Sequence, residues 1–370
     1  MNFFKNKSAR YMKAFFTLLI ISINLYGCSS QNTTKTMQST WYTLPSDTPI
    51  EDCHYGKNKI NSPLVTNKIP DNNMYPFTHD GYTPSTFVIN QKIYFVDNTN
   101  LYEATPSDNQ EDWNTVSLNI GNISEMLSDG TYLYCLTENN TGIIYNPKSH
   151  TINCKVLLPN SLHAYDGYYA LNCVGNQKGY FTLNFSKTKD AHIIFSLDQN
   201  GQIEIMNTSD RSNFIRPVYS DSEYFVYVSF PPEKDSNFHV YVQNLQTNET
   251  YSIYDQFTVN MNESCAPFYR WNNSFVFLTY EKGICVANID GSGVKIYHGD
   301  ITYYSMYQNK MYFSGSKLFS FDLETGEKKI YKFSDEDNFM GNLNICDGYI
   351  LLSRKEANSR NMTIHAIQIP

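Results

Sequence analysis

The sequence lacks the short motifs by which many catalytic and metal sites are found. It has no Gly-x-Ser-x-Gly elbow, no His-x-x-x-His spacing and no Cys-x-x-Cys spacing, and its 8 histidines are scattered. Helical periodicity is also hard to find after residue 40. We therefore expect neither a cofactor nor a metal ion, and no set of residues indicates a particular reaction.

Basic residues are scarce relative to acidic ones. The chain has 28 Lys and Arg against 36 Asp and Glu, a formal net charge of −8. Residues 1–27 hold four basic residues and no acidic ones, so removing them takes the charge from −8 to −12. Binding to a phosphate backbone needs clustered basic residues. We therefore expect no nucleic acid partner.

Cysteines are few and irregularly spaced. Seven of the 8 follow Cys28, which is an odd number and poor support for a disulfide framework. Cys135 and Cys154 are predicted on the second and fourth strands of one sheet, which at about 4.8 Å per strand is too far apart for a bridge. The cysteines are predicted to be buried free thiols.

The N-terminus reads as a targeting segment. Four basic residues precede an apolar run from Ala14 to about Ile23, which is too short to span a membrane. The run ends in Leu25-Tyr26-Gly27-Cys28, which resembles the lipobox of bacterial lipoproteins. The resemblance implies a signal peptide over residues 1–27, a lipid on Cys28 and an extracytoplasmic, membrane-anchored protein. An ordinary secretory peptide is the alternative.

What the sequence does contain is a repeat. After a polar tether over residues 28–39, units of strands rich in Tyr and Phe recur from Phe87 to Ile369, with turns every 36 to 55 residues. The predicted second strands have the cores 92–97, 131–135, 167–171, 223–227, 274–278, 310–313 and 348–352. This pattern predicts one all-β domain over residues 40–370, a β-propeller of four-stranded blades. Seven blades are favoured, with six or eight as alternatives.

The last unit lacks a fourth strand, because the chain ends at Pro370. A ring left open there would expose a sheet edge. An N-terminal strand is predicted to close the last blade, with Thr40–Leu44 and Pro63–Asn67 as candidates.

The second strands resemble those of the YWTD, LDL-receptor-like propellers and of related bacterial domains of unknown function. Ile93-Tyr94-Phe95-Val96-Asp97 stands where those repeats have Tyr-Trp-Thr-Asp. The resemblance covers about residues 87–370. It implies the propeller fold.

Binding residues collect on loops of a rigid scaffold. We expect the turns between strands one and two and between strands three and four to share one rim, and the longer loops to occupy the other. The candidate ligand-binding residues are Trp271, Arg270, Glu233, Asp235, Glu263, Asp337 and Arg354. Asp337 ends the acidic run 335–337, which lacks the spacing of a calcium loop and is predicted to be a solvated turn.

Three functions remain open from the sequence. The favoured one is a non-enzymatic, monomeric module that binds a protein, a peptide or an envelope glycan. The second is a carbohydrate-active enzyme, a glycosidase or lyase, which would need a close pair of carboxylates near the propeller axis. The third is an accessory subunit without a ligand of its own.

Overall fold

A computed structural model of the chain describes most of the predicted repeat region. It describes residues 39–43, 50–53, 59–61, 86–97, 99–106, 113–159, 167–185, 192–209, 214–230, 237–258, 268–279, 283–298, 303–314, 318–333, 343–346, 349–355 and 362–368. These residues form strands, turns and bends, without a helix. None of the described segments is therefore a helix that could cross a membrane.

Thirty strands are assigned within these ranges. In chain order they are β1 Ser39–Thr43, β2 Ile50–Cys53, β3 Lys59–Asn61, β4 Thr86–Ile89, β5 Lys92–Asp97, β6 Asn100–Pro106, β7 Trp113–Ser117, β8 Ile123–Ser128, β9 Leu133–Thr137, β10 Thr141–Asn146, β11 Thr151–Leu157, β12 Gly167–Gly175, β13 Lys178–Phe185, β14 His192–Asp198, β15 Ile203–Ser209, β16 Phe214–Ser220, β17 Tyr224–Phe230, β18 Asn237–Asn244, β19 Thr250–Thr258, β20 Tyr269–Trp271, β21 Ser274–Thr279, β22 Gly283–Asn288, β23 Val294–His298, β24 Tyr303–Tyr307, β25 Lys310–Ser314, β26 Leu318–Asp322, β27 Lys328–Phe333, β28 Leu343–Cys346, β29 Tyr349–Lys355 and β30 Met362–Gln368.

The described strands form seven sheets, which we number as blades in chain order. Blade 1 is β4–β7, blade 2 β8–β11, blade 3 β12–β15, blade 4 β16–β19, blade 5 β20–β23, blade 6 β24–β27 and blade 7 β28–β30. Consecutive strands within each blade pair antiparallel. The predicted all-β propeller is confirmed, with the number of sheets that the sequence favoured.

The first strand of each blade lies innermost. It occupies one edge of its sheet, and first strands of neighbouring blades contact one another, as β8, β12 and β16 do. Blade 7 in turn contacts blade 1 through β28 and β4, which closes the ring. Side chains on the first strands therefore lie nearest the axis of the propeller.

Aromatic and aliphatic side chains fill the spaces between blades, because alternation along each strand turns one set of residues toward each neighbouring sheet. Tyr180 of blade 3 and Phe225 of blade 4 are buried, with ring centroids 5.2 Å apart. Tyr254 of blade 4 and Phe277 of blade 5 meet edge to face at 5.4 Å. The tyrosines and phenylalanines of the repeat thus form the core between blades.

The prediction for the second strand of blade 3 is wrong. Residues 167–171 belong to the first strand, β12, and the second strand is β13. The turn between them is Asn176-Gln177, with φ of 50° and 58°, the left-handed conformation that a two-residue hairpin turn requires. With the turn of blade 3 at Asn176 and not at Asp166, the step from the turn at Asp129 is 47 residues and no longer 37. The step to the turn at Asp221 is 45 residues and no longer 55.

An N-terminal strand completes blade 7, as predicted, but it is neither of the two candidates. Lys59–Asn61 (β3) pairs antiparallel with β30. The candidate Thr40–Leu44 overlaps β1, which instead adds a fifth, parallel strand to blade 5, and β2 does the same for blade 6. The candidate Pro63–Asn67 lies outside the described residues. The three N-terminal strands thus cover the outer edges of three consecutive blades.

The cysteine predictions are confirmed where the structure describes the side chains. Cys135, Cys154, Cys173 and Cys285 are buried and free. Cys135 and Cys154 lie on the second and fourth strands of blade 2. They therefore act as small apolar groups in the core.

Candidate functional site

Two rims can be told apart by their connections. The rim with the turns between strands one and two and between strands three and four is called here the short-turn rim, and the opposite one the loop rim. On the short-turn rim, Asp129, Asp198, Asp221 and Asp322 each accept two backbone N–H groups of their own turn, at 2.7–2.9 Å. Such side chains fix the turn that they begin. These carboxylates therefore have a structural use.

Arg270, a predicted ligand residue, ties blade 5 to blade 4. Its two terminal nitrogens donate to Asp221 Oδ2 at 2.8 Å and to Glu223 Oε2 at 2.7 Å, and its guanidinium lies 5.1 Å from the ring centroid of Tyr224. Burial opposes ionisation of Asp221, but the hydrogen bonds from Arg270 and from two backbone N–H groups outweigh it and lower the Asp221 pKa. The arrangement is a clamp between blades.

We expect Arg270→Gln to destabilise the protein by about 1–2 kcal/mol near neutral pH, because two charge-assisted hydrogen bonds are lost. The pKa of Asp221 is lowered in the folded state, so its contribution is present above about pH 4 and lost as the pH falls below it. Urea unfolding at pH 7 and pH 3.5 measures both effects.

The matched control for this prediction is Lys178→Gln, which breaks an ion pair with the exposed Glu204, at 2.9 Å. Exposed pairs contribute about 0–1 kcal/mol. Equal losses in the free energy of unfolding of the two variants at pH 7 would contradict a stabilising role of Arg270 between blades 4 and 5.

Trp271, the neighbour of Arg270, is partly buried and packs against the core cluster shared by blades 5 and 6, which includes Tyr304 and Met311. Its Nε1 has no hydrogen-bond partner among the described residues. Arg354 lies on β29. Glu233, Asp235, Glu263 and Asp337 lie outside the described residues. As ligand residues, all seven stay predictions.

A second polar group, which the sequence did not single out, lies on the innermost strands of blades 2, 3 and 4. Each of these strands is interrupted by a bulge, at Ser124, Asn172 and Val218 respectively. Bulges are common next to functional sites, because they redirect side chains and free backbone groups from the ladder. Glu125, Leu171, Asn172 and Arg216 lie at these bulges or within two residues of them, and we call these four residues the axial cluster.

Glu125 reaches from blade 2 to blade 3. Its Oε2 accepts the backbone N–H of Leu171 at 2.5 Å. Burial raises the pKa of Glu125 to about 7, although the Leu171 N–H and the charge of Arg216 both act to lower it. The carboxyl group therefore changes between its neutral and ionised forms near neutral pH.

Arg216 supplies the positive charge of the axial cluster. It acts electrostatically on Glu125 and on Cys173 of blade 3, but the described ion pairs do not include a contact within 4 Å between Arg216 and a carboxylate. Its Nε–H is buried and has no hydrogen-bond partner among the described residues. An unpaired buried donor costs about 1–3 kcal/mol. The cluster therefore retains hydrogen-bonding capacity.

Glu103 shows how this chain satisfies a buried carboxylate elsewhere. Its oxygens accept Lys92 Nζ at 2.6 Å and Tyr94 OH at 2.8 Å, and the residue is 8% exposed. Glu125, by contrast, has one backbone donor and no ion pair among the described contacts. The axial cluster is thus the less completely paired of the two sites.

We expect Glu125→Gln to stabilise the protein at high pH. The folded pKa of Glu125 is about 7 and its ordinary value 4.5, so ionisation costs stability progressively as the pH rises through this range. Glutamine keeps an oxygen for the Leu171 N–H and has no charge. The gain in the free energy of unfolding should be small at pH 4.5 and reach roughly 3 kcal/mol at pH 8.

Urea unfolding at the two pH values measures this gain. Glu138→Gln is the matched control, because Glu138 is an exposed carboxylate on the loop rim. A pH-independent difference between Glu125→Gln and the wild type would contradict the assignment.

Among the described residues, no group of three or more His, Cys, Asp or Glu side chains could hold a metal ion. The polar atoms of the axial cluster are a carboxyl, a guanidinium, an amide and a backbone N–H. This set can donate to and accept from a ligand, and Glu125 can exchange a proton.

Comparisons with known proteins indicate the class. No family model matches the sequence, and no curated protein matches it. Among solved structures, the β-propeller domain of Myceliophteria thermophila Cps50 (Swd1) is similar, with a TM-score of 0.51 and 8% identity over 79% of this chain and 99% of that one. An oligogalacturonate lyase in complex with manganese has a TM-score of 0.49 and 13% identity, over 77% of this chain and 96% of the lyase chain. The first similarity supports the fold, and the chain is a β-propeller protein.

Proposed function

We propose that the chain is a bacterial lipoprotein, anchored to the outer face of the cell membrane through Cys28, whose propeller is a binding or scaffold module for a protein, a peptide or an envelope glycan. The observation that carries the proposal is the position of Ser39. Ser39 pairs with Val294, which directly follows a turn of the short-turn rim. A chain that enters blade 5 there would hold the short-turn rim toward the membrane and the loop rim away from it.

The residues of the two rims support a short-turn rim that faces the membrane and a loop rim that binds the ligand. On the short-turn rim, Asp129, Asp221 and Asp322 accept hydrogen bonds within their own turns, and Asp221 also accepts one from Arg270. The loop rim carries the connections between blades, where binding residues can vary without disturbing the sheets. We place the ligand on the loop rim and at the axial end that opens onto it.

The anchoring half of the proposal is tested on the N-terminal peptide. Mass spectrometry of the protein from a bacterial membrane fraction should find Cys28 at the N-terminus carrying acyl chains. Cys28→Ser should leave the chain without lipid, whereas Ser30→Ala, the matched control, should not. An unmodified Cys28 in the wild type, or cleavage elsewhere, would contradict anchoring.

The binding half is tested by blocking one rim at a time. A bulky polymer attached at Asn139→Cys covers the loop rim, and one attached at Thr131→Cys covers the short-turn rim. Proteins and glycans retained by the immobilised wild type should be lost with the first variant and kept with the second. Retention by both variants, or loss by both, would contradict recognition at the loop rim.

A carbohydrate-active enzyme is the second candidate, and Glu125 is the observation in its favour. A carboxyl with a pKa of about 7 is protonated often enough at neutral pH to serve as a general acid. Cleavage of an envelope polysaccharide that disappears in Glu125→Gln would support this candidate over the first.

A further inference from the structure

The large apolar side chains that are most exposed lie on the outermost strands of three consecutive blades. They are Val116 on β7, Ile152 and Leu157 on β11 and Ile205 on β15, which expose 59%, 42%, 65% and 65% of their surface. No described residue of blades 4–7 belongs to this group. Exposed apolar residues that gather on one part of a surface mark interaction sites, whereas single ones are ordinary. The outer wall of blades 1–3 is therefore a candidate interaction surface.

Leu157 is exposed at a free edge of blade 2. β11 is the outer strand of that blade, and the described sheet ends with it. In an antiparallel ladder, the backbone groups of successive residues point alternately toward the neighbouring strand and away from it. The N–H of Leu158 donates to Asn140 O at 2.9 Å, so the N–H and C=O of Leu157 point away from β10. An added strand would meet both outward backbone groups and an apolar side chain there.

Ile205 has the same position at the edge of blade 3. β15 is the outer strand of the sheet described for that blade. The N–H of Asp198 donates to Gln202 O at 3.1 Å, which directs the N–H and C=O of Ile205 away from β14. Two neighbouring blades thus present an exposed apolar residue whose backbone groups point outward.

Blade 5 shows how the chain itself occupies such an edge. The N–H of Asn288 donates to Gly293 O at 2.9 Å, so the backbone groups of Val294 and Ile296 point outward, toward β1. These two side chains are only 4% and 0% exposed. β1 runs parallel to β23, and β2 adds to blade 6 in the same direction. A parallel extended strand is therefore what this fold places on an outer strand.

We infer that the outer edges of blades 2 and 3 bind an extended segment of a partner protein, which adds a parallel strand to β11 or β15 and covers Leu157 or Ile205. Bulges at Asn153 and Met206 keep each free edge short, which works against pairing between the like edges of two copies. The inference goes beyond the proposed function, because it uses neither rim of the propeller nor the lipid anchor.

The probe is a synthetic peptide with the sequence of residues 39–44, which contains β1 and is capped at both ends. The purified protein, labelled with 15N-leucine and 15N-isoleucine, is titrated with this peptide. Backbone hydrogen bonds supply the affinity in strand addition, so the amide signals of Leu157 and Ile205 should shift and saturate. The same peptide with methylated backbone nitrogens lacks N–H donors and should leave both signals unchanged.

Two variants separate edge binding from general apolar contact. The fluorescence anisotropy of a labelled peptide gives its affinity for each. In Leu157→Ser/Ile205→Ser, the affinity should fall by about tenfold, because an apolar side chain is lost at each edge. Val116→Ser is the matched control and should bind as the wild type does. Val116 is 59% exposed, but Leu118 N–H donates to Leu101 O, so the backbone groups of Val116 point toward β6.

Four results would overturn the inference. They are amide signals that do not respond to the peptide, an equal response to the methylated peptide, wild-type affinity in the double variant, and self-association of the wild type through these edges in analytical ultracentrifugation, which would assign them to a second copy. If the peptide binds as predicted while both rim-blocked variants retain every partner, the edge site stands and recognition at the loop rim fails.

Discussion

Replacing Gly175 with alanine should destabilise the protein by about 3 kcal/mol or more. A Cβ at Gly175, the last residue of β12, would overlap the backbone carbonyl oxygen of Ser220, the last residue of β16. Backbone atoms on both sides cannot move as a flexible side chain would. The innermost strands of blades 3 and 4 would have to separate, and the hydrogen bond between Tyr180 OH and Ser220 Oγ, at 2.8 Å, would be strained.

Urea unfolding of Gly175→Ala, with Gly130→Ala as control, measures the effect. Gly130 has φ of +84°, but a Cβ there would meet nothing within 4 Å. Its substitution should cost only the strain of the left-handed conformation, about 1–2 kcal/mol. If Gly175→Ala proved no more harmful than this control, the close approach of blades 3 and 4 would be wrong.

Removing the three N-terminal strands should have an effect of similar size. A chain that starts at Ser62 lacks β1, β2 and β3, so it leaves the outer edges of blades 5, 6 and 7 without their added strands. Each lost ladder hydrogen bond contributes about 0.5–1.5 kcal/mol, and an uncovered edge can pair with another chain. We expect a loss of several kcal/mol and association of the purified chain.

The control is a chain that starts at Gln38, which keeps all three strands. Its melting temperature should equal that of the protein starting at Cys28, and it should elute at the same volume in size-exclusion chromatography. A chain starting at Ser62 that is as stable as this control would show that the N-terminal strands do not close the ring.

Much of the fold could be predicted because most blades carry the same sequence pattern. Six of the seven second strands lie where alternating Tyr, Phe and β-branched residues follow a polar turn. Blade 3 was misassigned because Asp166-Gly167 has the composition of a hairpin turn, whereas the real turn is Asn176-Gln177, whose left-handed φ angles need no glycine.

The strand that closes blade 7 was harder to place. Lys59–Asn61 is three residues long and carries little alternation of its own. Its position is set by the free edge of β30. Pairing with an edge depends on backbone groups, which leave little trace in a short sequence.

The axial cluster could not be predicted, because its residues come from three blades and look ordinary in the sequence. Glu125 stands among Ile123, Met126 and Leu127, where a polar residue reads as the solvent side of a strand. Its partial burial and its bond to Leu171 arise from the contact between the innermost strands of blades 2 and 3, which joins residues far apart in the sequence.

The most direct test of the account is a titration of Glu125 in the free protein. 13C NMR of the side-chain carboxyl groups, with Glu125→Gln to assign the signal, gives its midpoint. A midpoint of about 7 would agree with a partly buried carboxyl that is held between the innermost strands of blades 2 and 3 by the Leu171 N–H. A midpoint near the ordinary value of 4.5 would mean that Glu125 is exposed to water and would contradict the account of the axial cluster.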